Sequence, residues 1–183
     1  MYATRIERKL NAATIAAFGG PSRANQRQLR IAGIMPPVET KPPHPAMHGF
    51  REFCQMLLMS KVLACGMSRK GARDLAELCV WPLEHRLEAL PGVTEVPGHD
   101  LTAEQMHAVR ESVGRADLGP RYCYFVLPEV DSPEVSAHLF NDLAHMPKVR
   151  TTGLLIDFQQ MAEETAALLD GPLISYRLSE CDE

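Results

Sequence analysis

The chain has 183 residues, 45% of them hydrophobic, enough to bury one sizeable core or two small ones, which excludes a disordered tail. No apolar run approaches the roughly 20 residues of a membrane-spanning helix, and the opening MYATRIERKL lacks the apolar centre of a secretory signal, so a cytoplasmic protein is expected. The net charge of −4 hides a division: residues 1–80 carry twelve Lys or Arg against five Asp or Glu, and residues 81–183 carry seven against eighteen, so the first half suits a polyanion and the second is repelled by it.

Asn11 is a good N-cap, and the pattern predicts a first helix through AATIAAF that ends at Gly19 and Gly20, with Ile15 and Phe18 on one buried side. Pro21 and Ser22 open a second helix. It carries Arg23, Arg27 and Arg30 at spacings of four and three, along one stripe, with no carboxylate until Glu39. The three repel one another unless an anion neutralises them, so they are expected to face outward towards phosphate. Leu29 and Ala32 lie off the stripe and dock the helix on the first. The segment MPPVETKPPHPAMH then holds five prolines, so a loop or wing with an extended tip is expected there. Two more helices follow, 51–64 and 68–79, divided at Gly66 and capped by Ser68. Phe53, Met56, Leu57, Val62 and Leu63 are candidate core, and the helical spacing of the methionine-rich run makes it core packing rather than a ligand surface. Arg69, Lys70 and Arg73 form a second basic cluster.

Pro82, Pro91 and Pro97 make 81–100 the expected Pro-rich linker. Asp100 can cap a helix over 101–114, with Leu101, Met106 and Val109 as packing residues. RYCYFVLP, TTGLLIDF and PLISYRL read as strands, with helices predicted in SPEVSAHLFNDLAHM and FQQMAEETAALLDG between them, an order of β-α-β-α-β. Five cysteines, Cys54, Cys65, Cys79, Cys123 and Cys181, form an odd, scattered set without a CxxC pair. They read as reduced, mostly buried thiols, the alternative being that Cys65 and Cys79 belong to a metal or redox sensor.

The first half also contains Gly20-Pro21-Ser22, a helix to Ala32, Gly33-Ile34-Met35-Pro36-Pro37, and Gly49-Phe50-Arg51-Glu52-Phe53. In order and spacing these resemble the winged helix-turn-helix domain of the MerR superfamily of transcription regulators. The resemblance covers about 70 residues. It implies that the second helix enters a major groove, with Arg23 and Arg27 on phosphate or guanine edges, and that Arg51 and Lys41 at the wing contact the backbone. The chain departs from the family pattern where Gln26 stands at a usually apolar position and where Gln28 and Leu29 replace an aromatic pair. The family's long dimerisation helix is also not expected after Leu78, because Pro82 and Pro91 break it.

The sequence-level expectation is therefore an α+β protein. Residues 1–80 form a winged helix-turn-helix that binds double-stranded DNA, and residues 101–183 form an α/β regulatory or dimerisation module, giving a homodimer without cofactor or metal. Arg23, Arg27, Arg30 and Arg51 are the principal contacts. Ser22, Asn25 and Gln26 are polar or base-contact candidates, with Lys41 at the wing, and Arg69, Lys70 and Arg73 are second-rank phosphate contacts. A small-molecule or protein effector is expected at the second module. Two rival readings are a DNA-associated scaffold without an effector and a small α/β enzyme. For the enzyme, His44, His48, His85, His99, His107, His138 and His145 are possible bases and Asp157 a possible acid, but no nucleophile elbow, phosphate loop or zinc motif organises them. His138 and His145, seven apart on a predicted helix, are a candidate metal pair, and Asp157 is read as a helix N-cap.

Overall fold

The computed structural model describes residues 2–35, 46–126, 136–148 and 153–179. A first strand, β1 (Tyr2–Glu7), is followed by β2 (Leu10–Asn11), which leads into helices α1 (Ala12–Ala17) and α2 (Arg23–Ile31). Strand β3 (Met47–His48) pairs antiparallel with β2 and opens onto two long helices, α3 (Phe50–Ala64) and α4 (Arg69–Ala89). After them come β4 (Thr94–Glu95), α5 (Ala103–Ser112), β5 (Tyr122–Val126), β6 (Ser136–Phe140), a 3-10 turn at Leu143–His145, β7 (Gly153–Asp157), α6 (Phe158–Ala166) and β8 (Ile174–Ser179). The class is mixed α and β, and no helix among the described residues is long and apolar enough to cross a membrane.

The packing rests on α3 and α4. Phe53, Cys54, Met56, Leu57, Leu58 and Val62 of α3 are buried, while Leu63 is only partly so. Burial of these apolar side chains is the main favourable term in the fold. Two carboxylates serve the N-terminus of α3, where free N–H groups and the helix dipole favour negative charge. Glu7 Oε2 accepts from Phe50 N at 3.0 Å and Glu52 Oε2 accepts from Gly49 N at 2.9 Å. Burial opposes the charge on Glu7, but the Phe50 N–H and the Arg5 guanidinium outweigh it and hold the carboxyl below its ordinary range.

Helix α4 corrects the expected linker. It runs through Pro82 to Ala89. A proline removes one backbone donor from the helix ladder, but Leu75, Cys79, Leu83 and Leu87 recur every fourth position and all are buried, so the apolar stripe continues across it. The polar residues of this last stretch are also enclosed and bonded. Glu84 accepts from Arg51 at 2.9 Å, and Arg86 donates to the carbonyls of Gly119 at 2.7 Å and Pro120 at 3.2 Å. Glu88 receives Arg5 Nε and Nη2, each at 3.1 Å, and the Tyr176 hydroxyl.

The strands overturn the β-α-β-α-β expectation. Residues 136–140 are strand β6, not helix, and β5 lies between β6 and β7, antiparallel to both. The pairing of Cys123 with Leu139 and with Ile156 fixes the register, and long-range pairing of this kind overrides local helix signals. Strand β8 leaves this sheet and lies between β1, antiparallel, and β4, parallel. The first and last described strands are therefore neighbours. One contiguous core cluster runs from Leu10 and Ile15 through α3 and α4 to Phe158, Ile174 and Tyr176, so the expected halves share a core. The helix expected over 101–114 is α5, capped by Thr102 Oγ1 rather than Asp100.

Candidate nucleic-acid interface

The backbone of α1, its turn and α2 is set by local chemistry. Asn11 Oδ1 accepts from Ala13 N at 2.9 Å and Thr14 N at 3.0 Å, the expected N-cap. Gly19 takes φ +85°, and Gly20 N donates to Ile15 O at 2.9 Å, ending α1. A Cβ on Gly20 would meet Ile15 Cγ2 at 2.6 Å and Ile15 O at 2.8 Å, so the turn passes too close to α1 for any other residue. Ser22 Oγ accepts from Asn25 N at 3.3 Å and starts α2, and Gly33 at φ +66° closes it.

Gln26 holds the two helices together. Its side chain is fully buried, and Nε2 donates to Ala12 O at 2.9 Å and Pro21 O at 2.8 Å. It bonds one carbonyl in α1 and one in the turn, which corrects its expected role as a base contact: a group sealed between helices does not reach a groove. Leu29 is buried beside it, and Ile15, Phe18 and Phe53 lie beneath, the two rings edge to face at 6.2 Å. This fixes which side of α2 faces inward. Ser22, Arg23, Asn25 and Arg27 are exposed, and neither arginine has a partner among the described residues.

Arg30 departs from the expected stripe. Its Nη2 lies 2.8 Å from His48 Nε2, and His48 Nδ1 lies 3.4 Å from Glu52 Oε2. An arginine can only donate, so His48 is neutral, accepting at Nε2 and carrying its proton at Nδ1 towards Glu52. Burial holds the imidazole below its ordinary range, Glu52 opposes this, and the Arg30 charge adds to it. Arg30 Nε is buried without a partner among the described residues. A cavity of about 550 Å³ opens here, with Arg30, His48 and Arg73 on its walls and Met35, Met56 and Met59 among its apolar lining.

The remaining basic candidates divide by their partners. Arg51 is half exposed, but its Nη1 donates to buried Glu84 at 2.9 Å, so it ties α3 to α4 instead of standing free at a wing. Arg73 lies 3.4 Å from Asp74 and 3.8 Å from Glu77. Arg69 and Lys70, in the first turn of α4, are exposed and unpartnered among the described residues. Lys41 and the proline-rich tip of the expected wing lie outside the described residues.

The other candidate chemistry is dispersed. His138 is on strand β6 and His145 in the 3-10 turn, so the expected shared helix face does not exist. Among the described residues no three His, Cys, Asp or Glu side chains converge as a metal site. Asp157 caps α6, accepting from Gln159 N at 2.9 Å and Gln160 N at 3.2 Å, and it pairs with Arg121 at 3.0 Å. The roles of Gln26 and His48 escaped sequence reading. For Gln26 the hint was its departure from the apolar residue that the resembled family usually has there. His48 gave none, because its partner lies 18 positions away.

No protein-family model, no curated protein and no solved structure matches the chain.

Proposed function

We propose that the protein is a sequence-specific DNA-binding transcription regulator that lays the exposed side of α2 in the major groove of double-stranded DNA. One observation carries the reading. Arg5, Arg8, Arg51, Arg73 and Arg121 each sit against a carboxylate, whereas Arg23 and Arg27, on a helix whose inner side is locked by Gln26 and Leu29, have none among the described residues. Two guanidinium groups one turn apart on a rigid helix are the donors that bidentate contacts to phosphate or guanine require. Ser22 and Asn25, in the N-terminal turn from which recognition helices commonly read bases, complete the contact surface. Arg69 and Lys70 are assigned to phosphate, and Arg51 and Arg73 become secondary because a carboxylate already competes for each. Arg30 supports the helix through His48 and does not touch DNA.

The regulator acts as a homodimer on this reading, so its operator is two-fold symmetric. Selection of bound duplexes from a random pool tests both statements. Enriched paired half-sites are the expected result, and a single asymmetric site would remove the dimer. Arg27→Ala is expected to weaken the selected site by about 1–3 kcal/mol and to relax preference at one base pair. A loss equal on all duplexes would make Arg27 a phosphate clamp.

A further inference from the structure

The described cysteines are not equivalent. Cys65 is exposed at the end of α3, and Cys54 is buried in α3 with its thiol pushed up by burial and by the charges of Glu84 and Glu88. Cys79 and Cys123 are different again, because they meet. Their sulfurs lie 3.7 Å apart, one on α4 and the other on the central strand β5, and both side chains are fully buried. They are 44 residues apart in sequence, so only the tertiary fold joins them.

We propose that Cys79 and Cys123 are a redox modification site that closes to an intramolecular disulfide under a small peroxide oxidant and reopens under a dithiol. The sulfurs must approach from 3.7 Å to about 2.05 Å, a distance that side-chain rotation and slight movement of α4 over β5 can supply. The thiols already share a hydrogen bond. Either sulfur can donate that bond, so either can attack; the step is written with Cys79 attacking and Cys123 resolving, and the roles exchange without changing the product. Cys79 gives up its proton and its thiolate attacks one oxygen of hydrogen peroxide; the O–O bond breaks, and the hydroxide that leaves with the displaced electron pair takes up that proton as the first water, giving a sulfenic acid. Cys123 sulfur then displaces the sulfenic hydroxyl, forming the S–S bond. Its proton leaves with that hydroxyl as water. Two thiols lose two electrons, and one peroxide is reduced to two waters.

Burial selects the oxidant. Both side chains are closed even to water in the resting fold, so an oxidant reaches them only through local opening, and a small peroxide needs less opening than a bulky disulfide reagent. The bond would fasten the helix that begins with Arg69 and Lys70 to the acidic half of the chain. The site stands independently of the DNA-binding reading, because the bond is read directly.

The test treats the folded full chain with graded hydrogen peroxide, blocks free thiols with N-ethylmaleimide under denaturing conditions, and maps the peptides by mass. A peptide pair linked through Cys79 and Cys123, lighter by two hydrogen atoms and separated by dithiothreitol, is the expected result. Cys79→Ala and Cys123→Ala, each checked for folding by circular dichroism, should reduce that pair to background while Cys65 stays as reactive as in the parent. Should either variant fail to fold, the parent alone decides. Both thiols fully alkylated after oxidant has consumed Cys65, or each carried separately to sulfinic acid without a linked peptide, would overturn the proposal.

Discussion

The smallest features with consequences are two side chains beneath α2. Gln26 Nε2 ties α2 to a carbonyl of α1 and to one of the turn, and Gln26→Met keeps the volume but strands two carbonyls. Unfolding in urea is expected to show a loss of about 1–3 kcal/mol, the range for leaving buried polar groups unsatisfied. An unchanged midpoint would mean that those carbonyls find other partners. His48 titrates with a definite sign. Its folded form favours the neutral ring, so its contribution is fully present above the unfolded value, about 6.5, and is lost as pH falls through that value towards the depressed folded one. Protonation also places a second cation against Arg30. His48→Gln should therefore flatten the stability profile between about pH 7 and pH 5, and a profile parallel to the parent's would exclude this role. Neither role was legible beforehand: Gln26 was expected to contact bases, its departure from the apolar residue of the resembled family being the one hint, and the surroundings of His48 exist only once β3 packs on α2.

At the scale of elements, what the sequence foretold was local. The caps at Asn11, Ser22 and Ser68, and the stops at Gly19, Gly33 and Gly66, fall where expected because each depends on a few adjacent residues. Pro82 misled because its cost is local while the stripe that outweighs it is formed with α3 and α6. Strand β6 misled for the same reason, since it is defined by its pairing with β5 and not by its own residues. The continued α4 also holds the loop before β5. Trp81 lies over Gly119, where a Cβ would fall 2.2 Å from the ring, and Gly119 takes φ +62°. Gly114 takes a similar φ of +71° but has open space around it. Both Gly→Ala variants incur the left-handed backbone cost of about 1–2 kcal/mol, and Gly119→Ala should lose about 1–3 kcal/mol more from overpacking. Equal melting temperatures would show that Trp81 moves aside freely.

For the whole molecule, the division of charge was legible and the division of structure was not. Composition separates a basic first half from an acidic second, but β8 returns to lie beside β1, and Glu88 binds Arg5 from one end of the chain and Tyr176 from the other. A fragment of residues 1–80 lacks the partner strand of β1, the carboxylate beneath Arg5 and the last turns of α4. It is expected to show no cooperative unfolding transition in urea, whereas the full chain unfolds in one. A fragment that unfolds cooperatively would restore an independent domain. The shared core also gives the acidic half a fixed orientation relative to α2, which a flexible linker would not provide. The central claim, that α2 is a DNA reader, is tested most directly by fluorescence anisotropy of labelled random duplexes over a salt series, with the parent beside an Arg23→Ala/Arg27→Ala variant. The parent's affinity is expected to fall steeply with salt, and the variant to bind at least tenfold more weakly with a shallower slope, each phosphate contact removed lowering it by about 1. Equal binding by parent and variant, or no binding by the parent at low salt, would contradict it.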